Sequence, residues 1–253
     1  MTTMVSKEKA MIIIPTYNEA LVIADTLHQV FAATESLEDV AVEILVFDSA
    51  STDATQKIVQ ELQAIYSGKL HLQTEAAKSG LGSAYAQAMQ YALQTLDADI
   101  VVEFDADLSH QPKFLGPMMM HIKTCDVVLG SRYVKGGSIP KDWAAHRKFL
   151  SVLGNMIARF VLTWRYQDFT SGFRATRREV LAPILPDKFL SDQYAYKLHL
   201  LWLLHKKNAR IHELPIQFVD RQQGMSKLPT NSIGDALRVI FKLRLEEMKR
   251  FWQ

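Results

Sequence analysis

The 253-residue sequence has a single cysteine, Cys125. It cannot build an internal disulfide framework or a cysteine-based structural zinc site, and the lone thiol reads as a small buried hydrophobe. It lacks the roughly 18–20 consecutive uncharged apolar residues that a membrane-crossing helix needs. The nearest stretch, residues 149–164, is interrupted by Arg159. A charged-then-apolar opening of the secretory kind is also missing, so a cytoplasmic location is expected. No long Lys/Arg block occurs and the formal net charge is only +2, which argues against a nucleic-acid partner. Neither G-x-x-x-x-G-K-[ST] nor H-E-x-x-H is present. Gly80-Leu81-Gly82 starts like a dinucleotide fingerprint, but Tyr85 stands where the third glycine belongs. The glycine pair also precedes the third expected helix instead of the first, so that fingerprint is rejected.

With 48% hydrophobic and 22% charged residues, the composition is that of an ordinary globular protein. The length suits one large α/β domain, residues 1–230, followed by a small C-terminal piece, residues 231–253. Behind a polar start over residues 1–9, apolar strands are expected at 11–14, 43–47, 70–73, 100–104 and 126–129, and over 211–219 as a strand pair or one long strand. Helical spacing is expected between them, around 21–31, 52–66 and 81–93, then over 147–165 and 194–204. Such alternation predicts a mainly parallel central sheet flanked by helices. Ligands then gather at the carboxyl ends of the strands, which collects Tyr17, Glu19, Asp48, Asp105 and Asp107 at one edge.

The central stretch is Ile100 to His110, I-V-V-E-F-D-A-D-L-S-H. In extended chain, side chains two apart share a face, so Asp105 and Asp107 present two carboxylates together. Adjacent carboxylates repel unless a cation lies between them, and hard oxygen donors suit Mg2+ or Mn2+. A polar turn closing a strand would use the same residue types. Arg132, Arg147, Arg174, Arg221 and Lys227 are candidate phosphate ligands, because the guanidinium fork matches phosphate oxygens. Apolar residues at Ile233, Leu237, Ile240, Phe241, Leu245, Met248 and Trp252 make one stripe of a C-terminal amphipathic helix. Arg238, Lys242, Lys249 and Arg250 stand beside the stripe. Such a helix docks on the sheet or lies in a membrane interface.

Taken together, P-T-Y-N-E (15–19), D-x-x-S-T-D (48–53), G-L-G-S-A-Y (80–85), D-A-D-L-S-H (105–110) and G-S-R-Y (130–133) resemble the family-2 glycosyltransferases. T-S-G-F-R (170–174) and F-V-D-R-x-x-G-x-S-K-L (218–228) narrow the likeness to the dolichol-phosphate (polyprenol-phosphate) mannosyltransferases. The resemblance implies a GT-A, Rossmann-like fold and inverting transfer of a sugar, mannose from GDP-mannose, to a polyprenyl or dolichyl phosphate. It implies that Pro15, Tyr17 and Glu19 hold the nucleoside, with Phe47 beside the base. Asp105, Ala106 and Asp107 would bind nucleotide and a Mg2+ or Mn2+ cofactor. Arg132, Arg147, Arg221 and Lys227 would neutralise the diphosphate and the acceptor phosphate. Asp105, Asp107 and Arg132 would thus carry the catalysis. The family commonly has two aspartates and a glycine where this chain reads Asp48-Ser49-Ala50, which leaves the donor base open between guanine and uracil. Without the membrane-spanning hairpins of some members, a form peripheral on the cytoplasmic membrane surface, with a membrane-protein partner, is expected. Two alternatives stay open: another nucleotide-sugar with a hydroxyl acceptor, for which Asp192 is the candidate general base, and a silent nucleotide-sugar binder.

Overall fold

The computed structural model describes residues 7–143, 145–220 and 231–251, without the side chains of residues 146, 147, 250 and 251. Seven strands form one sheet: β1 (Glu8–Thr16), β2 (Val40–Asp48), β3 (Leu70–Thr74), β4 (Ile100–Glu103), β5 (Val127–Ser131), β6 (Arg174–Arg177) and β7 (Ile211–Pro215). Eight α-helices accompany them among the described residues: α1 (Ile23–Thr34), α2 (Thr55–Ile65), α3 (Leu81–Gln94), α4 (Leu115–His121), α5 (Ala145–Val161), α6 (Arg178–Leu181), α7 (Tyr196–Lys206) and α8 (Ser232–Phe251).

The run A-M-I-I-I in β1 shows why the sheet is covered twice. Ala10, Ile12 and Ile14 point into one apolar layer with Ile23, Leu27 and Val30 of α1 and Val59 of α2. Met11 and Ile13 point into the other, with Ala84, Tyr85, Ala88 and Met89 of α3 and Tyr196 and Leu200 of α7. A strand apolar on both faces is the signature of a parallel strand between helical layers. Replacing Ile13 with Ala would cost about 2–5 kcal/mol through the cavity left behind.

Strand order is β3-β2-β1-β4-β6-β5-β7. The chain builds outward from β1 through β2 to β3, then returns through α3 to place β4 on the other side of β1, parallel to it. That reversal leaves a crevice outside the carboxyl ends of β1 and β4. The expected mainly parallel sheet is therefore present, with one exception: β6 runs antiparallel to both β4 and β5. The sequence gives little sign of this strand, because R-A-T-R begins and ends with arginine. Arg174 is tolerated there because it lies in register with Glu103 of β4 and forms a buried ion pair with it, Nε to Oε2 at 2.6 Å. The short helix α4 was likewise not expected. The strand expected over 211–219 ends at Pro215, whose ring nitrogen cannot donate to a ladder.

The C-terminal helix forms as the stripe predicts, and its apolar residues divide between two environments. Val239, Ile240 and Leu243 pack against Ala158 of α5, Leu162 just beyond it, and Leu198, Leu201 and Trp202 of α7. Ile233, Phe241, Leu245 and Met248 remain exposed. Trp252 lies outside the described residues.

Candidate active site

The crevice opens into a cavity of about 910 Å3. Its polar end is built from strand ends: Pro15 and Thr16 close β1, Ser49 follows β2, Asp105, Ala106 and Asp107 follow β4, and Arg132 follows β5. All of these line the cavity, as do Tyr17 and Glu19. Tyr17, Glu19, Asp105 and Asp107 are thus gathered as expected, whereas Asp48 does not line the cavity.

Two of the motifs are first a clasp between loops. Asn18, at a left-handed φ of 53°, donates its backbone N–H to Ser51 Oγ at 2.8 Å and accepts from Thr52 N through Oδ1 at 2.8 Å. Glu19 N donates to Thr55 Oγ1 and Ala20 N to Asp53 Oδ2. Asp48 is fully buried and accepts from Thr16 Oγ1, Ser51 N, Ser51 Oγ and Gln56 Nε2 at 2.6–2.9 Å. Its carboxylate is a structural acceptor locking β1 to β2. Ala50 adopts φ 56°, a conformation that suits glycine and costs a residue with Cβ about 1–2 kcal/mol.

The side chain of Phe47 is placed differently from expectation. It is buried in the core with Met11, Ile13, Leu45 and Tyr85, because strand alternation turns it away from the crevice. Ser49 lines the cavity at that point. Arg174 is a second correction, since Glu103 consumes it in the buried pair described above and it does not line the cavity. Arg147 falls within α5, but its side chain is outside the described residues, as are Arg221 and Lys227.

The loop after β4 carries the two aspartates. Leu108 takes φ 58°, and Asp107 Oδ1 accepts from Ser109 N at 3.1 Å. Asp105 N donates to His110 Nδ1 at 3.2 Å, which leaves His110 Nε2 carrying its hydrogen toward Asp105 Oδ2, 3.6 Å away. His110 is buried and stacked on Phe173, with ring centroids 5.0 Å apart. Burial lowers its pKa, assisted by the charges of Lys197 and Arg132 and opposed by Asp105 and Asp107, so the imidazole is neutral at pH 7. Among the described residues no group of three His, Cys, Asp or Glu side chains is arranged around a metal position. Two carboxylates facing a cavity nevertheless fit a Mg2+ or Mn2+ that draws its remaining ligands from substrate phosphate and water.

Arg132 does not stand free in the cavity. Its Nε and Nη2 each donate to Asp168 at 2.7 Å, and Nη2 also reaches Thr170 Oγ1. Burial alone would raise the Asp168 pKa, yet the guanidinium and its hydrogen bonds hold the carboxyl below its ordinary value. Asp192 forms an ion pair with Lys188 at 3.5 Å and is not part of the cavity wall. The glycine pair serves packing: a Cβ on Gly80 would meet Asp192 O at 2.3 Å, and one on Gly82 would meet Ser191 O at 2.4 Å. Sequence reasoning missed Lys78, whose Nζ lies 3.6 Å from the Tyr17 ring centroid, and Lys197, a cavity-lining cation on α7. Both are single lysines without a motif to flag them.

Where helices supply the wall, the lining is mostly apolar: Leu150, Leu153 and Ile157 of α5, Leu198 of α7, and Ile233, Leu237 and Ile240 of α8.

Residues 11–185 match the model of glycosyl transferase family 2. The chain is 33% identical over 231 residues to a polyprenol monophosphomannose synthase of Mycolicibacterium smegmatis, covering 91% of this chain and 84% of that one. It is 34% identical over 229 residues to an undecaprenyl-phosphate mannosyltransferase of Micrococcus luteus, covering 90% and 91%. A mannosyltransferase of Pyrobaculum calidifontis, solved with GDP-Man and Mn2+, shares the fold at a TM-score of 0.58 and 20% identity, covering 97% of this chain and 65% of that one.

Proposed function

The chain belongs to glycosyl transferase family 2, and we propose that it transfers mannose from GDP-mannose to a polyprenyl phosphate at a membrane surface. That it is a glycosyltransferase follows from the family; the donor, acceptor and metal are the proposal. One observation carries it. The cavity is polar and charged where the strands end, and becomes an apolar cleft between α5 and α8. A nucleotide-sugar suits the first part and an isoprenoid chain the second. The names of the two relatives support mannose as the sugar and a polyprenyl phosphate as the acceptor.

In this reading Asp105 and Asp107 hold a divalent cation. That cation would stabilise negative charge growing on the departing diphosphate. His110 fixes the orientation of Asp105 from behind, and Arg132, held rigid by Asp168, adds positive potential at the same place. Such preorganised charge is usually the largest catalytic contribution. A phosphate monoester, with a second pKa of about 6, is already a nucleophile at neutral pH and needs no strong base. The pairing of Asp192 with Lys188 favours this acceptor over a hydroxyl. A single displacement, inverting at the anomeric carbon, follows if the lipid phosphate attacks from the α5–α8 side.

No helix among the described residues is long and apolar enough to cross a membrane. Phe149, Met156 and Phe160 of α5 and Trp164 just beyond it are exposed, as are Phe241, Leu245 and Met248 of α8. These residues suit shallow insertion into a lipid interface, supporting a peripheral position at a membrane surface. The test is a screen of GDP- and UDP-sugars with a polyprenyl phosphate, with the lipid product weighed by mass spectrometry. GDP-mannose with Mg2+ or Mn2+ is expected to give the mannosyl phospholipid in wild type, and Asp107→Ala to give none. Full activity in excess chelator, or in Asp107→Ala, overturns the metal assignment.

A further inference from the structure

Lys197 is an unusual charge among the described residues. It sits in the first turn of α7 with the residue only 7% exposed, and its side chain lines the cavity. Among the described residues no carboxylate pairs with it and no hydrogen bond from its ammonium is found; its one contact of note is with the Tyr194 ring, Nζ lying 5.4 Å from the centroid. The other deeply buried cations are matched, Arg132 by Asp168 and Arg174 by Glu103. A largely buried lysine that opens onto the cavity with no counter-ion beside it is a ready partner for an anion that enters there. Space for the ammonium is made by a glycine: a Cβ on Gly172 would lie 2.2 Å from Lys197 Nζ and 2.6 Å from Cε. Gly172 also lines the cavity.

The position selects the anion. Lys197 packs over Gly172, whose neighbour Phe173 stacks on His110, and it lines the same cavity as His110, Asp105 and Asp107, so it belongs to the neighbourhood of the Asp105 loop. The next residue, Leu198, is part of the apolar wall with Leu153, Ile157, Leu237 and Ile240. The ammonium therefore stands where the polar end of the cavity meets the apolar cleft. An amphiphile with its chain in the cleft would place its headgroup there. We propose that Lys197, seated over Gly172, binds the phosphate of the lipid acceptor, whereas the donor diphosphate is held by the strand-end residues. This rests on the acceptor reading given above and assigns it a residue that no motif marks.

The experiment compares wild type with Lys197→Gln, Lys197→Arg and Gly172→Ala in the full chain. Three quantities are read: the acceptor KM with a short-chain isoprenyl phosphate, the Kd of that phosphate by calorimetry in the presence of GDP, and the Kd of GDP alone. An ionic hydrogen bond is worth a factor of about ten or more in binding. Lys197→Gln is expected to raise acceptor KM and Kd by at least about tenfold and to leave GDP affinity within about twofold. Lys197→Arg is expected to recover most of the loss. Gly172→Ala, which crowds only the tip of a flexible side chain, is expected to imitate Lys197→Gln in part while melting near the wild-type temperature. A loss of GDP affinity with unchanged acceptor binding would instead assign Lys197 to the donor and overturn the proposal. Unchanged values throughout would overturn it as well. If wild type binds and uses the isoprenyl phosphate and the variants match it, only this inference falls. If wild type neither binds nor uses it, the acceptor reading has failed and the inference falls with it.

Discussion

Arg132 and Asp168 form a two-point ion pair, Nε to Oδ2 and Nη2 to Oδ1, both at 2.7 Å, with the carboxylate fully buried. An arginine at the mouth of β5 is thereby held in one orientation before any ligand arrives. The partner lies 36 residues away, in D-F-T-S-G, a stretch whose polar and aromatic density says nothing about pairing.

Removing the carboxylate charge with Asp168→Asn leaves a buried guanidinium unmatched, which should cost about 3–5 kcal/mol of stability. The Asp168 pKa is lowered in the fold, so its stabilisation is complete above the ordinary carboxylate pKa of about 3.9 and fades as pH falls through the lowered value. Denaturant melts of wild type and Asp168→Asn should therefore differ widely at pH 7 and draw together only in strong acid. Equal stability at pH 7 contradicts this.

In the proposed mechanism His110 acts on the reaction through Asp105. Its Nδ1 accepts from the Asp105 backbone and its ring stacks on Phe173, so His110→Phe keeps the stacking and loses the acceptor. Groups that orient a metal ligand are worth about 10–100-fold in activity or metal affinity. A fall of that size, with a melting temperature close to wild type, is expected in transfer assays and Mn2+ titrations. Activity equal to wild type removes His110 from the site.

His199 gives a second pH window. Burial, together with Lys242, lowers its pKa from 6.5 to about 4, and Nδ1 accepts from Leu190 N at 3.1 Å. The unfolded chain takes up the proton first. Stability is therefore full above pH 6.5 and declines as pH falls toward about 4, by at most ~3 kcal/mol. His199→Gln, which keeps an acceptor for Leu190, should flatten the stability profile between those values. An unchanged profile contradicts the assignment.

The exposed faces of α5 and α8 predict binding to lipid. Phe160 is 77% and Phe241 52% exposed, so Phe160→Glu with Phe241→Glu should leave folding intact and sharply reduce sedimentation with anionic liposomes. Arg238 already pairs with Asp235 at 2.7 Å, which leaves the electrostatic share of binding to other basic residues of the helix. Undiminished sedimentation of the double variant would exclude these faces.

Apart from β6, the sheet was legible because its strands centre on short apolar runs, and the strand-end rule converts such runs into a site without any contact being known. Arg174 shows where that reading stops. As a charge in a polar-looking loop it resembles a phosphate ligand, and only the register with Glu103 shows that it is part of the core. Phe47 was misassigned for a similar reason: position at a strand end is visible in sequence, whereas the face depends on which helices cover the sheet. Lys197 was invisible because burial of a lone lysine is a tertiary property. The C-terminal stripe suggested either docking or exposure, and the helix divides between the two, with Ile240 inside and Phe241 outside.

The most direct measurement sets polyprenyl phosphate against the corresponding free polyprenol, in matched micelles with GDP-mannose and Mn2+, using the purified chain. The account predicts mannosyl transfer to the phosphate, none to the alcohol above donor hydrolysis, and only a modest loss on Asp192→Asn. Transfer to the alcohol with the phosphate inert, abolished about 10²–10⁴-fold by Asp192→Asn as for a lost general base, would contradict it.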